Sequence, residues 1–132
     1  MRIVTSPDAP APVAGAPYSP CVVAGPGELV FVSGQLGIDV ATGALVEGGV
    51  GPQARKALEN LSALLHAADS AASDLVSVTL YLTDLTEDFA EVNAAYGDVL
   101  GEARPARATV GVAALPLGAR IEVQAIAMRS KG

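Results

Sequence analysis

Residues 74–114 read DLVSVTLYLTDLTEDFAEVNAAYGDVLGEARPARATVGVAA, and the period of the apolar residues changes twice within them. From Asp74 to Leu82 the period is two. Val76, Val78, Leu80 and Leu82 share one face of a strand, and Ser77, Thr79 and Tyr81 share the other. From Asp84 to Leu100 the period is helical. Phe89, Val92, Tyr96, Val99 and Leu100 form an apolar stripe, and Asp84 with Glu87 three residues on has the form of a capping box. From Arg107 to Ala114 the chain is again a strand.

Working outward from this unit, Pro52 to Asp69 is a second helix. Ala54, Ala57, Leu58, Leu61, Leu64, Leu65 and Ala68 recur at helical spacing, and Pro52 suits a first turn. Arg2 to Thr5 is a short strand. Pro7 to Pro20 holds five prolines and is expected to lie extended on the rest of the chain. Cys21–Ala24 and Leu29–Ser33 read as strands, and Gly25-Pro26-Gly27-Glu28 between them predicts a hairpin. Gly34 to Gly51 is glycine-rich and reads as a loop with a turn at Ala41-Thr42-Gly43. Arg120–Met128 is a strand, and the turn around Leu115-Pro116-Leu117-Gly118 predicts a second hairpin with the Arg107 strand.

The order β, ββ, α, β, α, ββ is an α+β pattern with a mixed sheet, one domain over residues 1–132. Strands such as Leu29-Val30-Phe31-Val32 are apolar on both faces. Two helices can cover only one face of a sheet, and self-association is the simplest cover for the other. The apolar content points the same way. Hydrophobic residues make up 51% but aromatics only 4%, with no Trp, so Ala and Val fill much of the core. Small side chains bury little area each, and oligomerisation adds burial.

A net charge of -6 and scattered basic residues argue against nucleic acid as a partner. One cysteine, Cys21, excludes an internal disulfide. No apolar run approaches a membrane span and the N-terminus lacks a signal-peptide core, so the cytoplasm is the expected location. A metal cluster is not expected, because His66 is the sole histidine and Cys21 the sole cysteine. His66 sits off its helix stripe and reads as solvated rather than catalytic. The glycines at 48, 49 and 51 lack the Walker lysine and the dinucleotide spacing.

Arg107 opens a strand of small and apolar residues, with Thr109 and Gly111 on its face. An arginine there serves either a strand-end ion pair or a two-pronged grip on a carboxylate. Glu122 sits between Ile121 and Val123, with Arg120 and Gln124 on its face. It is either a solvent-facing sheet residue or a carboxylate that holds a water. The predicted hairpin would set it opposite Gly111 or Val112. Asn93 falls within the stripe of its helix, four residues after Phe89, and a buried amide needs partners.

The series Ala16-Pro17-Tyr18-Ser19, Val32-Ser33-Gly34-Gln35, Val92-Asn93-Ala94-Ala95-Tyr96, Arg104-Pro105-Ala106-Arg107, Leu115-Pro116 and Ile121-Glu122-Val123-Gln124-Ala125-Ile126-Ala127 spans nearly the whole chain. In this order and spacing it resembles the RidA/YjgF reactive-intermediate deaminases. The resemblance implies a chorismate-mutase-like mixed sheet backed by two helices, assembled as a barrel-like homotrimer with active sites between subunits. It implies hydrolysis of 2-imino acids such as 2-iminopropanoate and 2-iminobutanoate to 2-keto acids and ammonia, without a cofactor. Arg107 would then grip the substrate carboxylate and Glu122 would position the attacking water. Tyr18 would line the cleft from the adjacent subunit, and Ser33 and Gly34 would contribute polar contacts at its floor. Asn93 would stand near the site, and Thr109 takes a place where many members carry cysteine. A specialised enamine or imine hydrolase of a catabolic pathway and a non-enzymatic ligand-binding or chaperone-like trimer are the other readings.

Overall fold

The computed structural model describes residues 1–130. Its elements are strands β1 (Arg2–Val4), β2 (Cys21–Val23) and β3 (Glu28–Gln35), helix α1 (Val50–Ala67), strand β4 (Leu75–Leu82), helix α2 (Leu85–Leu100), and strands β5 (Ala106–Gly111) and β6 (Ile121–Arg129). The main sheet runs β3-β6-β4-β5. Its first two pairings are antiparallel and β4 with β5 is parallel, so the sheet is mixed as expected. The parallel pair follows from the strand–helix–strand unit, since a helical crossover returns the chain in its original direction.

Neither expected hairpin forms. β2 pairs with β1 in a separate two-stranded ribbon, in which Arg2 faces Val23 and Val4 faces Cys21. β3 pairs with β6, so the Gly25–Glu28 turn carries the chain from one sheet to the other. β5 and β6 are likewise kept apart by β4. The physical reason lies in β6. It is nine residues long, and Ile121, Val123, Ala125 and Ala127 are all buried on one face. A strand with so much apolar surface gains most at the centre of the sheet, between two partners. β5, whose Val110 is exposed, takes the edge.

Both helices pack on the face that carries Val78, Leu80 and Leu82 of β4 and the buried residues of β6. α1 contributes Ala54, Ala57, Leu58, Leu61 and Leu65, and α2 contributes Val92, Ala95, Tyr96 and Leu100. Leu64, expected in the α1 stripe, points outward and is 45% exposed. α1 begins two residues before Pro52, at Val50. Its N-cap Gly49 has φ 92°, a backbone angle that a side chain would strain. α2 follows expectation closely. Asp84 caps it, its carboxylate accepting a hydrogen bond from the Glu87 N–H at 3.3 Å.

A second layer of polar bracing went unread in the sequence. Asp88 is buried and pairs with Arg120 at 2.6 Å, while the Arg120 backbone N–H donates to Gln53 Oε1 at 2.9 Å. This ties the start of β6 to both helices. Arg120 precedes β6, so strand alternation does not govern it, and it turns away from the face expected for it.

The opposite face of the sheet carries Leu29, Phe31 and Val110, which are 53%, 71% and 38% exposed. This is the uncovered apolar face that the strand pattern predicted.

Candidate active site

The residues singled out in the sequence fall into two groups, one on each face of the sheet. Arg107 pairs in register with Val78, whose side chain faces the helices. Glu122 pairs with Tyr81, three residues further along β4 and therefore on the other face. Within one chain the two are not brought together.

The helix-side group centres on the Arg107 guanidinium. Its Nε–H donates to Thr109 Oγ1 at 2.9 Å, the strand neighbour two positions on. Its Nη2 donates to Asn93 Oδ1. Three aromatic rings surround it, with centroids 4.7 Å (Tyr96), 5.5 Å (Tyr18) and 5.9 Å (Phe89) from Cζ. Among the described residues it makes no ion pair, and its Nη1 is buried without a partner. Burial pulls its pKa below the usual arginine value, which the neighbouring Tyr96 and Tyr18 partly counter. At neutral pH the group stays cationic.

Tyr18 belongs to this group within the same chain, where the sequence reading had the adjacent subunit supply it. Ser19 holds the segment in place. Its backbone N–H donates to Pro105 O at 2.9 Å, its hydroxyl donates to Arg104 O, and it bridges Ala106 at the start of β5. The Tyr18 hydroxyl accepts from the Val13 N–H at 2.9 Å, which anchors the short helical turn at Val13–Gly15. A cavity of about 430 Å³ opens beside Arg107. Tyr18, Thr109 and Arg107 supply its polar side, and Val13, Leu85, Thr86 and Phe89 complete the wall.

The second group lies on the uncovered face. Glu122 is half-buried and Ser33 and Gly34 are exposed. A Cβ at position 34 would overlap the Glu122 carboxylate, so glycine there makes room for it. The chain is irregular here, with a register shift between Val32 and Gln35. On the same face the Tyr81 hydroxyl donates to Gln124 Oε1 at 3.2 Å. Ser33 and Gly34 therefore accompany Glu122, not the cavity at Arg107.

His66 is exposed on α1, as expected. Among the described residues no three His, Cys, Asp or Glu side chains are grouped to hold a metal ion, and no helix is long and apolar enough to cross a membrane. The residues that sequence reasoning missed at the site are Tyr96, Phe89, Leu85, Thr86 and Val13. Phe89 and Tyr96 were assigned to the core stripe of α2, and the amide of Asn93 between them was the signal that part of that stripe serves something polar.

Comparison with known proteins places this arrangement. A family described as Endoribonuclease L-PSP matches residues 8–129. The 2-iminobutanoate/2-iminopropanoate deaminase of Bos taurus is 43% identical over 121 residues, covering 92% of this chain and 86% of its own. Protein DfrA of Myxococcus xanthus is 48% identical over 118 residues, 89% of each. The crystal structure of RidA from an Antarctic Psychrobacter superposes with a TM-score of 0.73 at 40% identity, covering 98% of this chain and all of that one. The family match over residues 8–129, these identities and this superposition show that the chain belongs to the RidA/YjgF family, the Endoribonuclease L-PSP group.

Proposed function

We propose that this protein hydrolyses 2-imino acids to 2-keto acids and ammonia, in a site completed between two copies of the chain. The observation that carries the reading is the state of Arg107. It is a half-buried cation held by neutral oxygens and aromatic faces, with no carboxylate partner among the described residues. A partly buried charge without a counter-ion is costly, and a ligand carboxylate in the adjoining cavity would relieve that cost. The name of the bovine relative supports the substrate class.

The separation of Arg107 and Glu122 gives the second copy its role. The uncovered face around Phe31 is apolar and needs a cover, and packing it against a neighbouring chain brings Glu122 of one copy toward the cavity of another. A closed ring of three such contacts satisfies every face. Arg107 then fixes the substrate carboxylate, and the Glu122 carboxylate accepts a proton from a water attacking the imine carbon. The tetrahedral adduct collapses as its nitrogen takes up a proton, and ammonia leaves. The step needs no oxidant or reductant, because water is added and ammonia lost at one carbon.

The group's description as an endoribonuclease finds no support in the charge. A net charge of -6 with scattered basic residues argues against a phosphate backbone as substrate.

The test is release of ammonia and keto acid from 2-iminopropanoate and 2-iminobutanoate, generated in situ by a pyridoxal-phosphate lyase. Wild type should accelerate release over spontaneous hydrolysis, and Arg107→Ala should lose about a thousandfold in kcat/KM. A wild-type rate equal to the spontaneous one would end the general deaminase reading and favour a specialised substrate or a binding role.

A further inference from the structure

Three residues of α2 converge on one guanidinium. Positions 89, 93 and 96 lie four and three residues apart and so on one stripe of the helix. Phe89 and Tyr96 present ring faces to Arg107, and Asn93 accepts from its Nη2. Tyr96 is the nearer ring, 1% exposed, with its centroid 4.7 Å from Cζ. Its hydroxyl, by contrast, is buried and has no hydrogen-bond partner among the described residues. A buried phenol that bonds to nothing is retained for its ring or not at all, since an orphaned hydroxyl costs free energy.

The ring has a clear physical task. A cation over an aromatic face is attracted by the ring quadrupole, yet its charge is not cancelled as a carboxylate would cancel it. Thr109 and Asn93 fix the guanidinium at Nε and Nη2, and the ring below sets its plane. Nη1 is buried and makes no hydrogen bond among the described residues.

We propose that Tyr96 is a positioning residue for Arg107: its ring face, assisted by that of Phe89, holds the guanidinium at the wall of the cavity, where an anionic ligand would meet it, and its hydroxyl takes no part. That the ligand is a carboxylate rests on the function proposed above. The seating of Arg107 does not.

The test uses the full-length protein with 2-oxobutanoate, the stable keto-acid product, as the probe. Calorimetry gives its Kd, the Arg107 15Nε–1H resonance reports how firmly the guanidinium is held, and thermal melting reports the fold. Tyr96→Phe should keep the Kd and the protected Nε–H. Tyr96→Leu should melt cooperatively, weaken binding about tenfold and expose Nε–H to faster exchange. If Tyr96→Leu fails to fold, Phe89→Leu carries the same test on a half-buried ring, with about a threefold loss expected. A folded leucine variant with unchanged Kd and unchanged Nε–H exchange would overturn the proposal, as would a Tyr96→Phe variant as impaired as Tyr96→Leu. Wild type that binds no 2-oxobutanoate would remove the carboxylate reading, while the Nε–H exchange of the variants would still decide the seating.

Discussion

The two faces of the main sheet hold their polar residues in opposite ways. On the helix side Arg107 is held by two acceptors and three rings at the wall of a cavity. On the other side Glu122 rests over Gly34 in a bare, partly apolar face. One half is organised by the chain's own fold, and the other awaits a surface to face. The contrast teaches that the chain seats Arg107 by itself, while under the function proposed above the Glu122 carboxylate is left to assembly. An anchor must hold its geometry before the substrate arrives. A carboxylate contributed across an interface can meet that anchor only when copies are packed together.

The sharpest way to break this comparison is to disable each face separately and mix the products. Glu122→Gln should lose at least a hundredfold in turnover, the range for removing a general base, and Arg107→Ala more. If each site takes Arg107 from one copy and Glu122 from the next, co-refolding the two inactive chains in equal amounts restores some sites. The chance that an intact Arg107 faces an intact Glu122 is one half times one half, so about a quarter of wild-type activity should return in a closed ring. No recovery on mixing would mean that a single chain supplies both residues, and the division between the faces would lose its functional meaning.

How far the sequence foretold this division depends on the range of the interactions. The α2 period and its Asp84 cap are local, and both appear as read. Thr109 is the next side chain on the face of Arg107 by strand alternation alone, and the hydrogen bond between them follows. Strand order is not local. Sequential neighbours pair often, which is why two hairpins were expected, but β6, with four buried apolar residues on one face, takes a central place beside β4. Asp88 finds Arg120 thirty-two residues away, and no periodicity signals that pairing. Phe89 and Tyr96 were hidden for a different reason. Aromatic residues on a helix stripe look alike whether they pack on leucine or on a guanidinium.

A smaller perturbation sharpens the account of the uncovered face. Gly34→Ala would put a methyl group where the Glu122 carboxylate now lies. The obstructed group is the far end of a flexible side chain, so Glu122 can swing aside at little cost in stability. Activity should suffer more than stability, falling about ten- to a hundredfold while the melting temperature stays within a few degrees. Unchanged turnover in Gly34→Ala would show that the position of Glu122 over Gly34 is incidental.

The smallest effect concerns the enclosed side and is read in alkali. Burial pushes the Tyr96 phenol up to about 12, from 10.0 for an exposed tyrosine, with Arg107 and Arg104 pulling weakly the other way. The raised value means that the folded state holds this proton more tightly than the unfolded chain does. The resulting share of stability is complete below pH 10 and is lost as pH rises from 10 to 12, when the unfolded chain gains by ionising and the folded one does not. The whole window is on the order of 2–3 kcal/mol. Tyr96→Phe has no proton to lose and should show a flatter stability profile across that range. At neutral pH it should be no less stable than wild type, since the hydroxyl it lacks had no partner. Denaturant unfolding of both proteins at pH 7, 10 and 11.5 makes the comparison, and the difference between them removes the titration of every other group. Parallel profiles would mean that the Tyr96 hydroxyl is solvated in the folded protein, and the ring would then not be the sealed floor beneath Arg107 that the geometry describes.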